Sequence, residues 1–216
     1  NLPGTNSRAV AEMALLLMLG ALRRISHFDA ETRAGRGWSQ PPALQDGLFE
    51  LGGRKVGLVG YGAVPKLLAP VLQALGCEVL YTARAPKPEA IGAFRPLEAL
   101  LAESDVVSLH IPETAETRGL INAAAIARMK PGAVFVNNAR GTVVDLEALA
   151  RALQDGHVLG AAVDVFPVEP SRNGEAFVSP LQGIPTAILT PHIGGSTGEA
   201  QSRIGQEVAR KLIDFS

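Results

Sequence analysis

Short apolar runs rich in β-branched residues alternate along this chain with segments whose apolar residues recur at helical spacing. The runs predict six strands, which lie near Val56–Val59, Glu78–Thr82, Val106–His110, Ala133–Asn137, Leu159–Val163 and Ala187–Leu189. Strands that are separated by helical crossovers pair in parallel, with helices on both faces of the sheet. The pattern therefore predicts an α/β fold with a doubly wound parallel sheet.

End signals set the limits of two helical segments. Asp145 precedes the periodic segment LEALARALQ and Gly156 follows it, as expected for an N-cap residue and a C-terminal glycine. Ser196 and Glu199 have the spacing of a capping box, which predicts a final helix that reaches about Ile213.

The first helical segment, from about Arg8 to Arg24, precedes the alternating pattern. Its stretch from Met13 to Leu22 is apolar almost all round, but it is too short to span a bilayer. We expect a second subunit or another domain to cover this helix. Trp38 is expected in the core or in the same interface.

A glycine turn follows the first predicted strand. Gly60-Tyr61-Gly62 lies between that strand and a helix, where a tight turn and the N–H groups of the helix N-terminus suit a pyrophosphate. Pro65 replaces the third glycine of this fingerprint, in a helical turn that tolerates proline. Pro70 falls inside the helix and predicts a kink, because it removes a backbone hydrogen bond. The turn alone also fits other α/β proteins.

Composition narrows the possible functions. The 216 residues are 47% hydrophobic and carry a formal net charge of -1, which gives no overall attraction to nucleic acid or to an anionic membrane. One cysteine cannot form an internal disulfide, and four histidines without paired cysteines show no zinc-ligand spacing. We therefore expect a cytoplasmic protein with no metal, no nucleic-acid partner and no membrane span.

Three polar motifs follow predicted strands in the second half of the chain. They are NNARGTVVD (Asn137–Asp145), GAAVDVFPVEP (Gly160–Pro170) and TPHIGGST (Thr190–Thr197). Ligands of open α/β sheets bind outside the carboxyl ends of the strands, so all three motifs point toward one crevice. Each motif supplies one chemically capable side chain, namely Arg140, Glu169 and His192.

These three side chains fit the chemistry of a hydroxy acid. Arg140 is a fixed cation that can bind a carboxylate through two hydrogen bonds, and His192 can exchange a proton near neutral pH. Hydride transfer to a 2-oxo acid creates an alkoxide beside a carboxylate, so the reaction needs a proton donor and a cation. Glu169 is the candidate carboxylate to orient the imidazole and favour its protonated form. Taken singly, each residue also has a purely structural explanation, as a surface ion pair, a solvated anion or a loop histidine.

From NLPGTNSRAVAE to the final helix, the chain resembles the nucleotide-binding domain of the D-isomer-specific 2-hydroxyacid dehydrogenases. The resemblance implies that Arg140, Glu169 and His192 are catalytic, that the substrate is a small 2-oxo or 2-hydroxy acid, and that the protein is a homodimer. The cofactor-binding residues indicated by the resemblance, the glycine fingerprint and the end of the second strand are Gly60, Tyr61, Gly62, Ala63, Val64, Thr82, Ala83, Arg84, His110, Ile111, Pro112, Thr117, Ala139, Arg140, Asp164, His192, Gly194 and Gly195.

Within this set, the resemblance places Tyr61–Val64 by the pyrophosphate, His110–Pro112 by the adenine and Asp164 by the nicotinamide carboxamide. Residues 1–216 are interpreted as one Rossmann-type dinucleotide-binding domain. Residues 1–40 form an interdomain or dimer helix and loop, and residues 50–216 form the sheet core and the final helix.

The end of the second strand indicates which cofactor is preferred. NAD-preferring sites place a carboxylate there, against the ribose hydroxyls of the adenosine. Ala83 stands at this position and leaves room for the 2′-phosphate of NADP, while Thr82 can donate a hydrogen bond to it and Arg84 can pair with it. We therefore predict NADP(H) in preference to NAD(H), as in glyoxylate and hydroxypyruvate reductases of the family. The alternative is that Arg84 is only a solvated charge.

The leading hypothesis is an NADP(H)-linked oxidoreductase of small 2-oxo and 2-hydroxy acids, with this chain as its cofactor domain. Family members also carry a substrate domain, which this sequence lacks, so we expect a cleaved or omitted upstream segment and little turnover by the chain alone. The alternative is a dinucleotide-sensing corepressor of the same superfamily, which recruits peptides and keeps the catalytic residues. Turnover of 2-oxo acids with NADPH distinguishes the two.

Overall fold

The structure is a computed structural model that describes residues 4–42, 44, 47–172 and 174–214. Its strands are β1 (Lys55–Val59), β2 (Glu78–Thr82), β3 (Ala93–Phe94), β4 (Val106–Leu109), β5 (Ala133–Asn137), β6 (Val158–Val163) and β7 (Ala187–Leu189). They form one parallel sheet in the order β3-β2-β1-β4-β5-β6-β7. The order reverses between β1 and β4, and a ligand crevice is expected at such a point.

The helices include α1 (Ser7–Leu22), α2 (Ile25–Arg33), α3 (Ala63–Ala74), α4 (Leu97–Glu103), α5 (Ala123–Ala127), α6 (Leu146–Gln154) and α7 (Gly198–Asp214). Helices α1 and α3 pack on one face of the sheet, and α4, α5 and α6 pack on the other. The doubly wound α/β fold predicted from the sequence is confirmed.

All six predicted strands are present, with bounds that differ by a residue at most. The sequence did not predict β3, because two residues are too few to show a period-two pattern. Short edge strands of this kind depend on pairing with an established neighbour: Leu80 and Tyr81 of β2 pair with Ala93 and Phe94.

Asp145 caps α6 as predicted, since its Oδ1 accepts a hydrogen bond from the N–H of Ala148 at 3.0 Å. The capping box predicted at Ser196 and Glu199 is wrong. Thr197 precedes α7, and its Oγ1 accepts from the N–H of Ala200 at 3.1 Å. Ser196 instead donates its N–H to the carbonyl of Ile193 at 2.9 Å and closes the turn before the helix.

Helix α3 accommodates both of its prolines. Pro65 is buried in the first turn, where a missing N–H leaves no intrahelical bond unmade. Pro70 is exposed, and the helix continues beyond it to Ala74. The kink expected at Pro70 stays a prediction.

Helix α1 is covered by its own chain more fully than the sequence suggested. It packs against α3 and strands β5 to β7, and Leu17 and Met18 are buried. Leu16 and Leu19 remain 61% and 39% exposed. Trp38 is 90% exposed, so its expected place in the core is wrong and only an interface role remains for it.

Candidate active site

An open cleft with a volume of about 450 Å³ lies at the carboxyl edge of the sheet. The turn after β1 and the loops after β4, β5, β6 and β7 line it, together with the N-terminus of α1. This is the position at which open α/β sheets bind their ligands.

Two glycines shape the turn between β1 and α3. Gly60 has a φ of 100°, and a Cβ atom on it would lie 2.6 Å from the carbonyl oxygen of His110, so a side chain does not fit there. At Gly62, by contrast, a Cβ would meet no atom within 4 Å. The next residue, Ala63, begins α3, and no side chain caps its first-turn N–H groups. Open space in front of uncapped N–H groups fits the pyrophosphate of a dinucleotide.

Arg140 is exposed in the cleft on a turn that follows β5. The buried Asn137 closes this turn, because its Oδ1 accepts from the N–H of Ala139 at 3.1 Å and its Nδ2 donates to the Arg140 carbonyl at 3.0 Å. The guanidinium donates to the carbonyl of Ala139 at 2.6 Å, and no carboxylate of the described chain pairs with it. The cation is thus held on a fixed turn with donors left for an anionic ligand.

Gly141 locks this turn against the loop that carries Glu169. A Cβ on Gly141 would overlap the carbonyl carbon of Phe166 and the backbone nitrogen of Pro167. The N–H of Phe166 donates to Oε1 of Glu169 at 2.9 Å. Backbone contact therefore sets the position of Arg140 relative to Glu169.

Glu169 and His192 form a hydrogen-bonded pair. Nδ1 of His192 lies 2.8 Å from Oε2 of Glu169, and the side chains of His192 and Glu169 are 49% and 34% exposed. Because Nδ1 is engaged by the carboxylate, Nε2 is the ring nitrogen that is free to act on a ligand. The structure thus contains the contact between Glu169 and His192 that the sequence predicted.

Asp164 braces the loop of His192. Its buried carboxylate accepts three hydrogen bonds, from the hydroxyl of Thr190 at 2.6 Å and from the N–H groups of Ile193 and Gly194 at 2.9 and 2.8 Å. Asp164 lines the cleft, but the sequence did not predict this bracing role.

His110 lies at the end of β4, beside the reversal of strand order. Burial lowers the pKa of His110 to about 3. Its Nε2 has no hydrogen-bond partner in the described chain. A neutral imidazole therefore borders the cleft at physiological pH.

The predicted adenosine site lies beside the glycine turn. The carbonyl of Thr82, the last residue of β2, accepts a hydrogen bond from the N–H of Gly60 at 3.0 Å. Thr82 and Ala83 are partly buried, and Arg84 is exposed with no ion pair among the described residues. These residues adjoin the cleft without lining it.

Two other predicted residues direct their side chains elsewhere. Tyr61 is 5% exposed, and its hydroxyl accepts from the N–H of Ile91 at 2.7 Å, so only its backbone can face a cofactor. The hydroxyl of Thr117 donates to the carbonyl of Pro112 at 2.7 Å and accepts from the N–H of Thr114 at 2.8 Å. Thr117 therefore stabilises its own loop.

The cleft brings most of the predicted residues together. Those that line it are Gly62, Ala63, Val64, His110, Ile111, Pro112, Ala139, Arg140, Asp164, His192, Gly194 and Gly195. Other lining residues were not predicted, among them Asn6 and Asn138. A Cβ on Gly195 would lie 2.5 Å from Nδ2 of Asn6, which shows how closely the N-terminal segment approaches. The polar residues of PGTN and the second asparagine of NNARG were the signals that could have found them.

No group of three or more His, Cys, Asp and Glu side chains in the described ranges could hold a metal ion. Among the helices described, none combines the length and the apolar character needed to cross a membrane.

Several curated proteins are similar to this chain over its whole length. The chain is 46% identical over 218 residues to D-3-phosphoglycerate dehydrogenase of Haemophilus influenzae, covering 100% of this chain and 52% of that protein. It is 39% identical to glyoxylate reductase of Thermococcus litoralis, covering 100% of this chain and 66% of that protein. The chain thus spans about half the length of the phosphoglycerate dehydrogenases that it matches.

Solved structures give the same result. D-lactate dehydrogenase with NAD+ from Lactobacillus jensenii superposes with a TM-score of 0.88 at 28% identity, covering 99% of this chain and 67% of that one. Residues 15–194 match the family described as D-isomer specific 2-hydroxyacid dehydrogenase, NAD binding domain. The chain therefore belongs to the NAD-binding domain family of the D-isomer-specific 2-hydroxyacid dehydrogenases.

Proposed function

We propose that this chain is the cofactor domain of an NADP(H)-linked 2-hydroxyacid dehydrogenase that reduces small 2-oxo acids. The observation that carries the proposal is the 2.8 Å contact between His192 and Glu169, because His192 lines the same cleft as Arg140 while Glu169 lies behind it in a neighbouring cavity. The names of its relatives, which include glyoxylate reductase and D-lactate dehydrogenase, support this substrate class.

In this mechanism, a bound dinucleotide would supply the hydride that reduces the oxo carbon of the acid. Arg140 binds the carboxylate of the acid through its guanidinium and so orients the reacting carbon. His192 donates the proton from Nε2 to the substrate oxygen, where negative charge develops. Glu169 holds Nδ1, which fixes the direction of the ring and stabilises its charge. The turn at Gly60 and Gly62 would hold the pyrophosphate of the dinucleotide.

The test for this function is the oxidation of NADPH, followed by its absorbance, in the longest natural protein that carries this sequence. Glyoxylate, hydroxypyruvate, pyruvate and phosphohydroxypyruvate form the panel, because the relatives include both phosphoglycerate dehydrogenases and glyoxylate reductases. We expect turnover with at least one acid and its loss in a His192→Asn variant. NADPH binding without turnover of any acid would contradict the proposal.

The preference for NADP(H) is supported by the residues at the end of β2. Ala83 adds no negative charge there, and Arg84 has no described carboxylate to neutralise it. A hydrogen bond to a charged group contributes about 1.5–3 kcal/mol. Because Arg84 is exposed, we expect the lower end of this range, or about tenfold tighter binding of NADPH than of NADH.

Direct titration of the chain with NADPH and NADH measures this preference without catalysis. The double variant Ala83→Asp, Arg84→Ala should bind NADH more tightly than NADPH, because a carboxylate there repels the 2′-phosphate and accepts from the ribose hydroxyls. Equal affinities in the unmodified chain would contradict the proposed preference.

We further propose that the protein is a cytoplasmic homodimer. The single cysteine is free and buried, in keeping with a reducing compartment. The dimer is supported by apolar side chains that are exposed on α1, on α3 and just after α3. They are Leu16, Leu19, Leu67, Val71 and Leu75.

A further inference from the structure

The chain contains two tyrosines, and both fasten the loop of residues 83–92 that follows β2. The hydroxyl of Tyr81 accepts from the N–H of Lys87 at 2.8 Å and donates to the Lys87 carbonyl at 3.2 Å. The hydroxyl of Tyr61 accepts from the N–H of Ile91 at 2.7 Å and donates to the Ile91 carbonyl at 3.3 Å. Each hydroxyl thus satisfies both backbone groups of one loop residue.

The two rings also contact each other. Their centroids are 4.7 Å apart, and the ring of Phe94 lies 5.7 Å from that of Tyr81. Tyr61 and Tyr81 are 5% and 2% exposed, and Lys87 and Ile91 are partly buried. Hydrogen bonds with limited access to water stabilise the loop that they hold.

The anchors connect the two halves of the cofactor site. Tyr61 stands between Gly60 and Gly62, in the turn that fits the pyrophosphate. The loop that it holds begins with Ala83 and Arg84. Tyr61 therefore ties this loop to the glycine turn, and Tyr81 ties it to β2.

We propose that Tyr61 and Tyr81 are positioning residues for cofactor selectivity, because their hydroxyls fix the loop that carries Arg84 where it meets the adenosine ribose. This inference rests on the proposed cofactor preference. It predicts that removal of the hydroxyls, with the rings kept, reduces the discrimination between phosphorylated and unphosphorylated ribose.

The experiment uses Tyr61→Phe, Tyr81→Phe and the double variant in the 216-residue chain. The probes are 2′,5′-ADP and 5′-AMP, which contain only the adenosine end of the two cofactors. Calorimetric titration should show that the preference for 2′,5′-ADP falls about three- to tenfold in the double variant. Amide hydrogen exchange should become faster across residues 84–92.

Glu89→Gln is the matched control in the same loop. It removes the ion pair between Lys66 Nζ and Glu89 Oε1, which lie 3.2 Å apart with both side chains about half exposed. Exposed ion pairs hold loops weakly, so the preference should stay within about twofold of the unmodified chain. An equal loss in Glu89→Gln would mean that any loosening of the loop has this effect, and it would overturn the specific role of the tyrosines.

The remaining outcomes separate the two proposals. Faster exchange in the tyrosine variants with an unchanged preference would make the hydroxyls merely structural and overturn the inference. If the unmodified chain binds both probes equally, the NADP(H) proposal fails, and the inference, which rests on it, fails with it.

Discussion

Nδ1 of His192 lies 2.8 Å from Oε2 of Glu169, and His192 makes this contact from a left-handed backbone conformation with a φ of 55°. Residues other than glycine rarely adopt this backbone conformation. The carboxylate of Asp164 holds it by accepting from the N–H groups of the two residues that follow His192. Because the His192–Glu169 pair is itself partly exposed, it adds at most about 1 kcal/mol to stability. Since the pair adds little stability and His192 lines the cleft, its position indicates a functional role.

The backbone strain at His192 predicts an unusual order of stability. His192→Gly should be more stable than His192→Ala by about 1 kcal/mol, because glycine adopts a positive φ without a steric cost. Urea unfolding measures both variants. Gln206, which is exposed in helix α7, provides the control. Glycine disfavours a helix, so Gln206→Gly should be less stable than Gln206→Ala by about 1 kcal/mol. The same order at both positions would contradict the argument from strain.

Gly141→Ala should destabilise the chain by about 3 kcal/mol or more, since the new Cβ would overlap the backbone of Phe166, which cannot move as a flexible side chain would. Gly205→Ala is the matched control. Gly205 is exposed in α7, and a Cβ on it would meet no atom within 4 Å, so alanine should stabilise this helix by up to about 1 kcal/mol. Similar unfolding midpoints in urea for the two variants would rule out the close contact at Gly141.

Asp164→Asn should lower the free energy of unfolding by about 2–4 kcal/mol and weaken cofactor binding. The amide has one acceptor oxygen in place of two, so at least one of the three donors around Asp164 loses its partner in a buried site. Asp145→Asn tests whether the substitution is harmful in general. Asparagine is as good an N-cap residue as aspartate, so that variant should stay within about 0.5 kcal/mol of the unmodified chain.

His110 predicts how stability depends on pH. Burial lowers the pKa of His110 from 6.5 to about 3, so below pH 6.5 the unfolded chain binds a proton at this residue and the folded chain does not. The contribution of the neutral His110 to the free energy of unfolding is therefore complete above pH 6.5 and decreases as the pH falls toward 3. The slope is at most about 1.4 kcal/mol per pH unit, and less if water in the open cleft reaches the ring. Urea unfolding at pH 7, 6 and 5 should show a shallower dependence for His110→Gln, and parallel curves would contradict this assignment.

The sequence predicted the fold well because hydrophobic periodicity is a local property of each strand and helix. It also predicted that Arg140, Glu169 and His192 lie at one edge of the sheet, because each follows a strand whose carboxyl end is at that edge. The spacing of the motifs does not predict the close contact between Gly141 and Phe166. It also does not predict the hydrogen bond from Gly194 to Asp164. Those contacts join loops that are far apart in the chain, and only the folded structure defines them.

Side-chain direction was the harder property to predict. Tyr61 lies inside the glycine fingerprint, yet its ring is buried in the core and its hydroxyl binds a loop residue 30 positions further along the chain. Trp38 is apolar enough for a core but is exposed, because the short helical turn of Gly37–Ser39 that carries it contributes no buried residue. Such outcomes depend on what each side chain meets after folding.

The apolar strip on α1 and α3 gives the last prediction, the association of two copies of the chain. Leu16 is 61% exposed, and Leu67 and Val71 on the neighbouring helix are each 42% exposed. Exposed apolar side chains of this kind are typical of protein interfaces, and in a symmetric dimer each of these residues is buried twice. We expect sedimentation velocity to show a dimer at micromolar concentrations. Leu16→Glu should weaken association by roughly thirtyfold, the effect of about 2 kcal/mol at a buried contact. Val208→Glu, at an apolar residue of α7 that is 44% exposed, should leave association unchanged. A monomer in the unmodified chain, or equal effects of the two glutamates, would show that the strip is not the dimer contact.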